Sequence, residues 1–223
     1  MNHRRLAAAA FAATAAGGVL MAAGWSGHGT PHTPPDAGVI PAASAPPAAG
    51  SSRQSPPVSV RGPHGFHAPV TPVAATADGG LGLPDGGDRG GWWALGAAAG
   101  SAEGTVLIAG HVDTAAGLGA FAALHHLAPG ERIEVIGADR HTYRYTITAR
   151  RTYRRDALPA DLFLPRGAHR IALVTCAGAY DEDNRLYSHN LVLYGTPTPE
   201  PMTPGAAELR NLTGFPVSSR VTG

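Results

Sequence analysis

Between about residue 58 and residue 195 the chain is a succession of short runs in which apolar residues alternate with polar ones or follow each other without a break. Phe66 to Ala75, Trp92 to Leu95, Val106 to Val112, Arg132 to Gly137, Thr142 to Tyr153, Arg170 to Cys176 and Leu191 to Tyr194 have this character. Gly, Pro and Asp punctuate them, as in Asp78-Gly79-Gly80, Pro84-Asp85-Gly86-Gly87, Pro129-Gly130 and Pro165-Arg166-Gly167. Period-two patterns and short apolar runs bounded by turn residues predict strands. Many short strands with turns between them predict a mainly β fold, a barrel or a sandwich. Two short helical turns are expected at Ala120 to Leu127 and Pro159 to Leu164, too small to change the fold class.

The flanks differ. Residues 1–25 carry Arg4 and Arg5 and then the uncharged stretch Leu6 to Trp25, which predicts a signal peptide or membrane anchor with its arginines on the cytoplasmic side. Residues 26–57 are Pro, Ala, Gly, Ser and His with almost no apolar period, a linker composition that cannot bury enough surface to offset its ordering entropy. Residues 196–223 are again rich in Pro, Gly, Ser and Thr and predict a flexible tail. The folded domain is therefore expected over 58–195, on the outer face of the cytoplasmic membrane or beyond it.

Charge and composition narrow the function. The formal net charge of +1 leaves no electrostatic footprint for nucleic acid. All 17 basic residues are arginine, so the chain has no lysine amine to serve as its own acyl acceptor. No metal or cofactor is expected, because His125-His126 and the linker histidines lack ligand spacing and Asp181, Glu182 and Asp183 read as a solvated turn.

One cysteine, Cys176, ends the strand pattern His169 to Cys176. In an oxidising compartment a single thiol is paired between chains, buried and inert, or kept reactive. A reactive one would be a nucleophile at a strand rim, before a turn at Ala177-Gly178. His111 follows the buried-strand pattern Val106 to Gly110, and an imidazole beside a thiol is a general acid or base. Asp113, two residues on, shares a face with His111 in an extended segment and is expected to orient it or to bond locally. Arg185 follows the cysteine within a polar segment, and a guanidinium donor stabilises an oxyanion without losing its proton. Thr175 either donates into the site or serves as a β-branched strand residue. Thiol, imidazole and guanidinium together suit acyl transfer.

These stretches resemble a sortase. Ala109-Gly110-His111-Val112-Asp113, Val174 to Asp181 and Tyr187 to Tyr194 look like the signature of the actinobacterial class E/F type, with support from His67 to Val73, Gly91-Trp92-Trp93 and Leu127 to Glu131. The resemblance implies a closed eight-stranded sortase-type β-barrel with short helices. It further implies a cysteine transpeptidase acting on proteins that bear a C-terminal LPxTG-like sorting signal. The signal's threonine would be held as a thioester on Cys176 and passed to an amine of a peptidoglycan precursor. His111 would be the acid/base, Cys176 the nucleophile and Arg185 the oxyanion and positioning group, with Asp113, Thr175, His189 and Asn190 supporting.

Two departures stand out: Ala177 replaces a glycine, and His189 replaces an aspartate before Asn190. In class A sortases the arginine lies further along, near the place of His189, so Arg185 and His189 both remain candidates for the third position. The alternatives are a catalytically silent wall-associated barrel, and an L,D-transpeptidase-like cross-linker whose usual Gly-Cys-x-Arg context Thr175-Cys176-Ala177-Gly178 does not match.

Overall fold

The computed structural model describes residues 33–41, 53–76 and 80–199. Their strands are β1 (Ala37–Gly38), β2 (Pro57–Arg61), β3 (His67–Val73), β4 (Gly90–Trp93), β5 (Thr105–Gly110), β6 (Asp113–Thr114), β7 (Gly117–Leu118), β8 (Arg132–Gly137), β9 (Thr142–Arg154), β10 (Arg170–Asp181) and β11 (Leu186–Pro197). Short 3-10 helices at Ala120–His126 and Ala160–Phe163 stand where helical turns were expected. Eight strands follow one another in the order β9-β11-β10-β5-β4-β3-β2-β8, and β8 pairs back onto β9, which closes the barrel. Closure leaves no open edge within the ring. The pairs β3–β4 and β5–β10 are parallel and the others antiparallel.

Two apolar layers flank the central strands. Inside the barrel, Val106 and Ile108 of β5 meet Ile171 and Leu173 of β10, with Phe66 and Phe121 edge to face at 5.3 Å between centroids. Outside, Leu107, Ala109, Ala172 and Val174 pack with Val192 and Leu162, and Trp93 and Phe163 close over them. Every residue of β5 is buried, as is β10 from Arg170 to Thr175. A strand covered on both faces has no need of alternation, which is why both read as unbroken apolar runs.

The expected linker is partly structured. β8 pairs with β9 only as far as Thr146, and the edge beyond it is taken by β1, with Ala37 opposite Arg150 and Gly38 opposite Ala149. Arg150 donates to the carbonyl of Pro35 at 3.0 Å, and Arg151 donates to those of Ala37 at 2.6 Å and Gly38 at 2.8 Å. Asp36 accepts the amide of Thr152 at 2.8 Å. A segment with no core of its own is ordered here by a vacant strand edge and two guanidinium groups, partners that its composition cannot reveal. Ser55 likewise exchanges backbone bonds with Ala99, so the folded region begins ahead of residue 58. At the other end β11 runs to Pro197. The expected anchor over 1–25 and the tail from 200 lie outside the described residues, among which no helix is long and apolar enough to cross a membrane.

Candidate active site

The parallel pairing of β5 and β10 sets side by side the segments that lead to the two sequence-predicted groups, His111 and Cys176. Ala109 pairs with Val174, and both point into the outer layer. Carried two residues further, the same register sets His111 beside Cys176 on the same outer face. Thr175, between them in phase, points inward, where its hydroxyl donates to the Gly110 carbonyl at 2.9 Å. It latches one strand end to the other.

No turn follows the cysteine. β10 continues to Asp181 through a bulge between Ala177 and Tyr180, with Gly178 at φ +81°. A Cβ on Gly178 would lie 2.5 Å from the Ser188 hydroxyl and 2.7 Å from the His189 ring, so only glycine fits the bend. The Gly178 amide donates to the hydroxyl of Thr33 at 2.9 Å, which brings the N-terminal segment to the rim of the site. Beyond the bulge, the Tyr180 and Tyr187 rings meet at a tilt, 4.9 Å between centroids, and the Tyr187 hydroxyl donates to a carboxylate oxygen of Asp113. Asp113 itself opens the small β6–β7 hairpin, which folds back on the strand end. Gly119 permits that return, because a Cβ there would be 2.3 Å from the His111 carbonyl oxygen.

Cys176 is a half-buried free thiol. Burial pushes its pKa above the ordinary value, the Asp113 carboxylate pushes in the same direction, and the Arg155 guanidinium opposes both. The resting sulfur is therefore held toward the neutral thiol. Burial and the bond to Asp113 likewise push the Tyr187 phenol well up, so it remains a donor.

Of the other sequence-predicted residues, Asn190 lies directly opposite Cys176 in the β10–β11 ladder, and its amide group donates to the Arg155 carbonyl at 3.3 Å. His189 lies opposite Ala177 with Nδ1 2.8 Å from the Ser188 hydroxyl. Arg185 sits in the turn that closes the β10–β11 hairpin, exposed and at φ +55°, past the pair Asp181–Leu186 and on the far side of the bulge from the thiol. Three further residues converge on the site. His125 is buried and its Nε2 donates to the Cys176 carbonyl at 3.1 Å, tying the helix Ala120–His126 to the strand carrying the thiol. Its burial beside Phe121 and Leu124 was the available signal. Tyr187 stands within a recognised motif and carries no chemical signature of its own. Arg155 emerges only once β9 is placed beside β11.

A family described as Sortase domain matches residues 66–198. No curated protein matches the chain. Among solved structures, sortase A of Listeria monocytogenes is 21% identical, with 70% of this chain and 95% of that one covered and a TM-score of 0.49. Sortase C1 of Streptococcus agalactiae is 19% identical, with 65% and 68% covered and a TM-score of 0.49. Sortase E of Streptomyces avermitilis is 19% identical, with 66% and 91% covered and a TM-score of 0.46. The family match spans most of the closed barrel together with the strand ends that carry His111 and Cys176, and this chain belongs to the sortase family.

Proposed function

We propose that this protein is a cysteine transpeptidase of the class E/F sortase type. In this reading it cleaves a C-terminal LPxTG-like sorting signal and transfers the protein to an amine of a peptidoglycan precursor at the outer face of the cytoplasmic membrane. The observation that carries the reading is the parallel register of β5 and β10, in which Val174 pairs with Ala109, two residues ahead of Cys176 and His111, on stretches covered on both faces. Such strands are stiff, and a stiff frame suits chemistry that needs its reacting atoms pre-positioned.

The steps follow from the proton state of the thiol. As Cys176 Sγ attacks the carbonyl carbon of the signal's threonine, His111 takes the thiol proton and the carbonyl oxygen becomes an oxyanion. Collapse of that intermediate breaks the C–N bond; His111 returns the proton to the leaving amine, and a thioester remains. The incoming amine then attacks the thioester, His111 accepts its proton, the C–S bond breaks, and the thiol is restored by the same proton. The chain has no lysine, so no side-chain amine of its own serves as acceptor, and in this reading the acceptor is an amine of another molecule. Asp113, held by Tyr187, and Thr175, latched to Gly110, act as supports for the two reacting side chains. The resemblance assigns the oxyanion donor to Arg185 or to the place of His189.

The test is a transfer reaction of the full chain with an LPxTG-like peptide and hydroxylamine or a glycine peptide as acceptor, read by mass spectrometry. The reading predicts a product joining the N-terminal part of the peptide to the acceptor, lost in Cys176→Ala and in His111→Ala. Absence of product across a panel of sorting-signal variants would reject it.

A further inference from the structure

Resting on the transpeptidase reading, we infer that Arg155, at the end of β9, is the guanidinium that binds the scissile carbonyl and its oxyanion above Cys176. Cys176, Asn190 and Tyr153 form one row across β10, β11 and β9. Facing residues of antiparallel strands point to the same side of the sheet. Tyr153 packs in the outer layer, as does Val174 two residues before the thiol, so this row faces outward. Arg155 follows Tyr153 by two residues, and its amide still donates to the Ser188 carbonyl at 3.0 Å, which keeps it in the ladder and on the same face. The side chain of Asn190, directly opposite the thiol, holds the Arg155 carbonyl at 3.3 Å and pins that backbone beside the site. Two inter-strand steps of about 4.8 Å separate the strand of Arg155 from that of Cys176. An extended arginine spans part of that gap and leaves room for a peptide carbonyl in the rest.

The other arginines of this strand end are engaged. Arg150 holds the carbonyls of Pro35 and Leu127, Arg151 those of Ala37 and Gly38, and Arg154 pairs with Asp156. Among the described residues the guanidinium of Arg155 has no hydrogen bond or ion pair, so its donors are open to a ligand. Its charge already reaches the sulfur, where it favours the thiolate against burial and Asp113. Arg185 stands beyond the bulge at the hairpin turn. The guanidinium would donate to the carbonyl oxygen and gain strength as that oxygen becomes negative.

Two measurements on the full chain decide this. In the transfer reaction, Arg155→Ala should lower kcat/KM about a hundredfold or more, mostly through kcat, the size expected for losing one oxyanion donor. Arg155→Lys should recover part of it, and Arg166→Ala, on a remote loop, should not change it. Independently of any peptide, the pH dependence of Cys176 alkylation by iodoacetamide should shift its midpoint upward in Arg155→Ala and less in Arg185→Ala. Full turnover and an unmoved midpoint in Arg155→Ala would overturn the assignment, as would larger losses in Arg185→Ala on both measurements. If the wild-type chain transfers no peptide, the transpeptidase reading fails by itself. The alkylation midpoint then still shows whether Arg155 acts on the thiol, and an unmoved one rejects it.

Discussion

The start of β10 and the stretch just ahead of its bulge both carry polar side chains, and they treat them in opposite ways. At its start Arg170 is 3% exposed with its donors engaged, at 2.9 Å to Asp161 and 3.0 Å to the Thr105 hydroxyl, and its guanidinium lies 5.3 Å from the Tyr194 ring centroid. Beside it His169 Nδ1 donates to the Gly104 carbonyl at 3.2 Å, so Nε2 accepts from the Tyr145 hydroxyl at 3.1 Å. Ahead of its bulge, among the described residues, the Cys176 thiol and, on neighbouring segments, the His111 ring and the Arg155 guanidinium make no hydrogen bond. Buried polar groups that are fully satisfied hold a fold together, whereas groups left open at a rim are available to a ligand. The same strand thus begins in satisfied pairs and leaves its thiol open ahead of the bulge.

The largest expected effect breaks that comparison at the chemical end. Cys176→Ala should abolish peptide transfer while thermal unfolding stays within about 2 °C of the wild type, since a half-buried thiol contributes little to packing. Next, Arg170→Ala should do the reverse. Breaking a buried pair whose carboxylate partner is partly solvated costs about 2–3 kcal/mol, a fall in Tm of about 4–12 °C, with the Cys176 alkylation rate unchanged at temperatures where the variant is folded. A pair of results in which Cys176→Ala unfolds the protein and Arg170→Ala does not would dissolve the distinction.

A smaller effect lies in pH. Burial lowers the pKa of His169 below its ordinary 6.5, so the unfolded chain binds the extra proton first. Stability contributed by the neutral ring is complete above about pH 6.5 and is lost as the pH falls toward the depressed value. Calorimetry should show Tm decreasing on acidification through that window, with the slope reduced in His169→Gln. The smallest effect sharpens the account of the thiol. Asp113→Asn removes a negative charge that disfavours the thiolate, so the alkylation midpoint should move to lower pH by less than about one unit. An upward shift would contradict the stated sign.

Seven of the eight barrel strands and the two helical turns were legible in the sequence; β2, Pro57–Arg61, was not among the expected strands, and β10 was expected to stop at Cys176. β5 and β10 were the plainest, because strands covered on both faces write their burial as unbroken apolar runs. His111 and Cys176 were legible for the same reason, as polar residues terminating such runs. Asp113, Thr175 and Asn190 were visible as neighbours, but what each one touches depends on pairings far apart in the chain. Thr175 bonds to Gly110 and Asn190 to Arg155, partners set by strand order. The docking of β1 was invisible because it depends on the edge of β9 and on Arg150 and Arg151, and what the segment itself supplies, Asp36 on the Thr152 amide, Gly38 close against the Thr148 carbonyl and Ile40 on the outer layer, forms no apolar period. Arg155 was hidden in the same way: Arg154-Arg155 reads locally as a charged strand end, and only the closed barrel swings one of the two toward the thiol face.

The most direct test is intact-mass analysis of the full chain incubated with an LPxTG-like peptide and no acceptor. The account predicts an added mass equal to the acyl part of the peptide ending at threonine, absent from Cys176→Ala and released by hydroxylamine. An unmodified wild-type chain whose folded thiol also resists iodoacetamide would contradict it, and Cys176 would then be a sealed residue in a barrel without this chemistry.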